Sequence, residues 1–386
     1  MAGVYQTRQG DMSDRSQLDL WWECARGACD DAGIALADID GLVNSGPPGV
    51  GLRADGSAAG MADVLGHPIR FHSTNSVGAA ADAGGLNVAA YAVAFGLADA
   101  VVICNAVAGS GEGYTSADRD EAIAMMGRLS GPYEYPAGTT RVSDYAVLAM
   151  RHMHEFGTTS EQLAAVAVAQ RHGATLTPLS VHGHRGEISI DEVVGSRLIS
   201  DPLHLLDCCA VNQGGGAIVV TAADDVRAAG RHAPVVLAGY GEGHGHVDPS
   251  ALDDLTHFPA GVLAADTAFG IAGVSREDID VAGISDHFTI GVLLLLEAAG
   301  FCRTGESGPF VEHGALAIGG RLPTNTAGGF LSFSHAGSCG IFSLIELVLQ
   351  LRGEAGERQV DDAQLAYLHG VGGAMQMHFG AVLARA

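Results

Sequence analysis

Ala32-Gly33-Ile34-Ala35-Leu36-Ala37-Asp38-Ile39-Asp40 and Ala272-Gly273-Val274-Ser275-Arg276-Glu277-Asp278-Ile279-Asp280 are nearly one phrase written twice in a chain of 386 residues. Both open on Ala-Gly, both close on Asp-Ile-Asp, and four residues separate the two parts in each. A glycine after an apolar helical run is a helix stop, because it enters the left-handed region without a Cβ penalty. The runs Leu18 to Ala32 and Leu263 to Ala272 therefore read as helices. Gly41-Leu42-Val43 and Val281-Ala282-Gly283-Ile284 read as the buried strands that follow. The spacing predicts one α/β fold built twice, with a first half over 1–225 and a second over 234–386.

Hydrophobic residues make up 47% of the chain, enough for a large core. Apolar runs such as Val101 to Val107 and Ile290 to Leu296 are far shorter than the roughly 20 residues that a bilayer span needs. With no basic and apolar leader at its start, the chain is expected to be soluble and cytoplasmic. Only Met1-Ala2 precedes Gly3-Val4-Tyr5, so either the first strand is short or the true start lies upstream. The seven cysteines are odd in number, form no CxxC pair and mostly sit in apolar patterns, which favours reduced, buried thiols over a structural zinc site.

A net charge of −24 leaves little for a phosphate backbone to bind, so nucleic acid is not an expected partner. All 20 basic residues are arginine. Without lysine there is neither a Schiff base nor a P-loop. His182-Gly183-His184 and His244-Gly245-His246 have the look of metal pairs, but the intervening glycine suits flexible loops and no further ligand stands at a familiar spacing. No metal site is expected.

The stretch from about 108 to 200 breaks the strand and helix rhythm and reads as an inserted loop domain, with helices over Ser143 to Phe156 and from Thr158-Thr159-Ser160-Glu161 through Gln170. Such insertions cover the ligand end of a sheet. Chemistry is expected where loops follow strands, and four segments qualify: Phe71 to Asp82, Ile284 to Thr289, Asn325 to Gly337 ahead of a helix over Gly340 to Arg352, and Leu368 to Gly373.

Those four segments, in that order, resemble the thiolase superfamily, in particular the bacterial sterol-carrier-protein-like thiolases. The most specific parts are His313 to Gly353, with RLPTNTAGG at 321–329, then LRGEAGERQV at 351–360 and the text from Ser200 to Cys209. The resemblance covers essentially the whole chain. It implies the five-layer αβαβα thiolase fold, CoA thioesters as substrates with no covalently bound cofactor, a homodimer, and a small OB-fold and zinc-ribbon partner. Such a partner, or a local patch from Arg141, Arg151 and Arg171, would hold the anionic CoA.

Departures from the family pattern decide which chemistry is left. The family's nucleophilic cysteine corresponds to a position at or near Ala79, and no cysteine lies nearby in sequence. Alanine cannot carry an acyl group. Cys104, the nearest in sequence, sits in a buried strand pattern. The second family cysteine corresponds to about Leu368, beside His369. Where the branch reads His or Tyr, then Asp-Cys-Phe, this chain has Ser285-Asp286-His287-Phe288. Residues 285 and 287 would share one strand face, which brings His287 toward the same cavity. His335 matches the family histidine that binds the thioester oxygen.

Loss of both cysteines with retention of the oxygen-binding parts resembles the thiolase-like aldolases, which cleave β-hydroxyacyl-CoA, including steroid side chains. The resemblance implies catalytic roles for His335, His369, His287, Asp286 and Ser285, with Gly329, Gly337 and Gly372 close to the ligand. Tyrosines expected in those loops are replaced here, by Ser285 and Phe333 among others. Three readings stay open: a non-covalent retro-aldol lyase, a thiolase or acyltransferase with an atypical nucleophile, and a catalytically silent subunit.

Overall fold

The computed structural model describes residues 1–45, 58–75, 81–108, 139–209, 211–246 and 248–386. The first half supplies β1 (Gly3–Gln6), α1 (Gln17–Ala32), β2 (Gly41–Ser45), α2 (Ala58–Leu65), β3 (Phe71–Asn75), α3 (Ala81–Ala94) and β4 (Ala100–Val107). There follow α4 (Arg141–Phe156), α5 (Ser160–Thr175), α6 (Ile190–Val194), β5 (Leu198–Ser200), β6 (Leu203–His204), β7 (Gly214–Thr221) and α7 (Ala223–Ala229). The second half contains β8 (Val235–His244), α8 (Pro259–Ala272), β9 (Val281–Ile284), α9 (Thr289–Ala298), α10 (Ser307–Val311), α11 (Gly340–Arg352), β10 (Leu365–Gly372) and β11 (Met377–Arg385).

Two sheets carry the fold, with strand orders β1-β7-β4-β2-β3 and β8-β11-β10-β9. Their pairing matches strand for strand: β1 with β7 and β8 with β11 are antiparallel, and so are β4 with β7 and β10 with β11. The β2–β4 and β9–β10 pairs are parallel. Where the first sheet adds β3 at its edge, the second has a single parallel bridge from Ala282 to Thr324.

The repeated sequence phrase does the same work twice. Gly33 and Gly273 cap α1 and α8 in the left-handed region, at φ 70° and 69°. The final aspartate of each phrase then starts the neighbouring parallel strand. Asp40 Oδ1 accepts from the backbone N–H of Asp99 and Ala100, and Asp280 Oδ2 accepts from Gln364 and Leu365. Close approach is matched as well. A Cβ on Gly3 or Gly239 would stand 2.0 Å from the carbonyl oxygen of Ala28 or Ala268, so glycine lets each outer helix lie against its edge strand.

Helices α3 and α11 pack against strands of both sheets, with α1 outside the first sheet and α8 and α9 outside the second. That is the expected αβαβα layering. Phe342, Ile345, Leu347 and Leu351 of α11, Leu86 and Ala89 of α3, and Ile103, Ile218, Leu368 and Phe379 of the sheets share the central core. Helix α9 is buried on every side because α4 and α5 cover it. Capping boxes at Thr140 with Ser143 and at Thr159 with Gln162 start those covering helices. Among the described residues no helix is long and apolar enough to cross a membrane.

Candidate active site

The site forms where two strand-to-helix connections of the second half meet. Strand β9 ends at Ile284, and Ser285 to Phe288 lead into α9 at Thr289. The strand alternation that predicted a shared face for 285 and 287 therefore does not extend this far. Ser285 turns its hydroxyl to accept from the N–H of Val371 at 3.0 Å, which ties this loop to the end of β10. Asp286 is wholly buried and accepts twice, from Phe330 N–H at 2.8 Å and Leu331 N–H at 3.0 Å. Burial raises its carboxyl to about 7 against the pull of those bonds. Gly329, at φ 58°, makes the clamp possible, since a Cβ there would lie 2.3 Å from Asp286 Oδ2. Ser285 and Asp286 thus brace the loops.

The second connection is a π-helical turn over Gly329–Phe333, followed by Ser334, His335 and the start of α11. Its backbone is pinned from the first half of the chain. Asn212 Oδ1 accepts from His335 N–H at 2.7 Å, while Asn105 Nδ2 donates to the carbonyls of Ala336 at 2.7 Å and Ser338 at 3.1 Å. Ser334 Oγ receives from Asn212 Nδ2 and donates to Gln9 Oε1. Gly337, exposed at φ 60°, borders Asn105, and Gly372 stands at the end of β10 opposite Met377. Asn105 and Asn212 were not among the residues expected from sequence; an asparagine inside an apolar strand and another before Gly214-Gly215-Gly216 were the available signals.

His287 and His335 meet across this junction. Their ring centroids are 5.1 Å apart at 80°, and Phe330 packs edge-on against both. Both residues keep some exposure, and burial of their rings favours the neutral form. Loss of hydration pulls His335 down to about 4. Burial, then the nearby His335 and Arg141, hold His287 well below its ordinary value. His287 Nδ1 is buried without a hydrogen-bond partner among the described residues. Cys339, at the N-cap of α11, completes a group whose ligand atoms all lie within 4.8 Å of one another. The histidine spacings weighed in the sequence do not include this trio, which two connections bring together.

His369 lies elsewhere. Its Nδ1 bonds to the Tyr367 hydroxyl at 2.8 Å and its Nε2 to His378 Nδ1 at 3.1 Å, and His378 Nε2 reaches the carbonyl of Met375. The chain sits on the face of β10 where Tyr367 stacks on Phe269 of α8 at 4.8 Å. The structure does not bring His369 to the His287–His335 pair.

Neither Cys104 nor Cys209 is placed as a nucleophile. Cys104 turns to the carbonyl of Trp21 under α1, and Cys209, whose N–H bonds the carbonyl of His287, has its thiol pushed up to about 12 by burial and by Asp286. Ala79 falls outside the described residues. The expected arginine patch is dispersed: Arg141 pairs with Asp144 and Arg151 with Glu155, while Arg171 is buried with its Nε on Ser332 Oγ. His184 belongs to a 3-10 turn, His182 is lowered to about 4 by burial and Arg185, and His246 Nε2 bonds the carbonyl of Ala374. These histidine pairs form no metal group among the described residues.

Known proteins place this arrangement. The chain matches an acetyl-CoA acetyltransferase of Methanothermobacter thermautotrophicus at 35% identity over 96% of its own length and 95% of the relative's. This chain belongs to the thiolase superfamily. The family model described as thiolase C-terminal domain-like matches residues 241–385. A steroid side-chain-cleaving aldolase of Thermomonospora curvata is 35% identical over 90% of this chain and 89% of that protein. The solved Ltp2-ChsH2(DUF35) aldolase superposes with a TM-score of 0.86 at 32% identity, covering 100% of this chain and 97% of that one. The human mitochondrial 3-ketoacyl-CoA thiolase shares the fold, with a TM-score of 0.71 at 14% identity over 100% of this chain and 98% of that one.

Proposed function

We propose that this thiolase-superfamily protein is an aldolase that cleaves a β-hydroxyacyl-CoA without a covalent acyl-enzyme. The observation that carries the reading is the pair of imidazoles, His287 and His335, whose neutral form burial favours, at a junction where burial pushes the Cys209 thiol up to about 12. His287 takes the β-hydroxyl proton. As the Cβ–O bond becomes a carbonyl, the Cα–Cβ bond breaks and its electron pair passes into the thioester enolate. The N–H of His335 stabilises the enolate oxygen, and a neutral imidazole donor suits this role because it need not give up a charge. The enolate carbon then takes a proton, which releases an aldehyde or ketone and a shortened acyl-CoA. Asp286, Ser285, Asn105 and Asn212 position the two loops.

Two relatives bear names that support this reading: the T. curvata aldolase and a 17-hydroxy-3-oxo-4-pregnene-20-carboxyl-CoA lyase of Mycobacterium tuberculosis, 33% identical over 92% of this chain and 91% of that protein. They also favour a steroid or similar lipid acyl group. The acetyltransferase relative supports acyl transfer as a second reading. We infer two partners. Strand β3 is an edge of its sheet, which suits pairing with a second copy, and the name of the solved aldolase joins Ltp2 to ChsH2(DUF35), which supports a small OB-fold and zinc-ribbon protein as companion. A cytoplasmic location agrees with intracellular CoA. The test is product analysis over a panel of acyl-CoA and β-hydroxyacyl-CoA thioesters, with and without that companion. Carbonyl release with a shortened acyl-CoA is expected, and acyl exchange alone would favour the second reading.

A further inference from the structure

We propose that His287, His335 and Cys339 form a binding site for a thiophilic divalent cation of the zinc class, and that the ion, when bound, silences turnover. Their three donor atoms lie within 4.8 Å of one another. Tetrahedral ligands at about 2.0–2.3 Å from a shared ion stand roughly 3.5 Å apart, so a modest inward turn of the side chains closes the set. Two imidazoles and one thiolate are a donor set that zinc takes readily, leaving a fourth position for water or another small ligand.

The surroundings favour an ion as well. His287 Nδ1 is buried and has no hydrogen-bond partner among the described residues. Cys339 caps the N-terminal end of α11, where the helix dipole favours the charge of a thiolate ligand. The backbone behind the donors is held by Asn212 at His335 and by Asn105 at Ala336 and Ser338, which limits the reorganisation that binding requires. On binding, the Cys339 thiol releases its proton to solvent as the metal–sulfur bond forms, so uptake liberates about one proton per ion.

The silencing rests on the reading of His287 as base and His335 as oxyanion donor, since a metal-bound imidazole nitrogen can do neither. Titration of the apo-protein with Co²⁺ is expected to give an intense thiolate-to-cobalt charge-transfer band and visible bands of a four-coordinate ion, both displaced by Zn²⁺. Loss of even an outer-shell partner weakens metal affinity by about 10–100-fold, and Cys339→Ser and His287→Gln are expected to weaken it at least that much. Zn²⁺ should inhibit the wild type, a chelator should restore it, and Cys339→Ser, which keeps both imidazoles, should turn over and resist the ion. Absence of the charge-transfer band, or its persistence in Cys339→Ser and Cys339→Ala, would overturn the site. A band without inhibition would overturn the silencing and, with it, the roles given to the two imidazoles.

Discussion

Among the described residues two histidine pairs stand edge to face at nearly the same distance, 5.1 and 5.3 Å, and differ in their hydrogen bonding. His287 with His335 and His369 with His378 all have their protonation suppressed by burial. At the second pair every ring nitrogen has a partner, in a chain from the Tyr367 hydroxyl to the carbonyl of Met375. At the first pair His287 Nδ1 has none among the described residues, and both residues keep some exposure. A satisfied buried network stabilises a core; an unsatisfied donor or acceptor at a loop junction is kept for something that arrives later. Perturbed titration alone marks both pairs, and the hydrogen-bond inventory separates them.

Substitutions can break that comparison. His287→Ala should lower kcat on a β-hydroxyacyl-CoA by about 10²–10⁴-fold, the range for removal of a general base, with the urea midpoint little changed. Equal loss of stability and activity would place His287 with the structural pair. His335→Ala should cost about 10²–10³-fold in kcat as the oxyanion donor is lost. The opposite pattern is expected at the second pair. His378→Phe leaves His369 Nε2 and the Met375 carbonyl without their partner and should cost about 1–3 kcal/mol of stability in urea melts, with kcat per folded molecule nearly unchanged.

The pH dependence of stability sharpens the same contrast. His378 is wholly buried and held at about 4 against 6.5 when unfolded, so the folded state takes up protons less readily. Its contribution is intact above 6.5 and fades as pH falls toward 4, by about 2 kcal/mol at pH 5. Asp286, raised to about 7 from 3.8, acts with the opposite sign and gains as pH falls below 7. Among the described residues several histidines are depressed against two raised carboxyls, Asp286 and Asp207, so stability in urea should fall between pH 7 and pH 5, and His378→Phe should flatten the slope. A rise in wild-type stability over that interval would contradict the assignment.

Much of the fold was legible in the sequence because its signals are local. Gly33 and Gly273 stop helices, and Asp40 and Asp280 start neighbouring strands, so the phrase repeats wherever the same turn is built. His335 was legible for the same reason, on a glycine-flanked turn before a helix. What was not legible depends on which chain crosses which. His369 looks like His335 in sequence, yet its partner His378 stands on the neighbouring strand β11. Ser285 and Asp286 were singled out by the family motif, and their oxygens accept from the N–H groups of Val371, Phe330 and Leu331, which no sequence signal shows. Asn105 and Asn212 belong to the first half and reach the site through the packing of the two halves.

The most direct test of the account is intact-protein mass measured during turnover of a β-hydroxyacyl-CoA, with carbonyl and acyl-CoA products quantified in the same samples. The account predicts equal amounts of aldehyde or ketone and shortened acyl-CoA, a protein mass that never changes, and loss of both products in His287→Ala. A transient gain of one acyl group on the protein, persisting in His287→Ala, would contradict it.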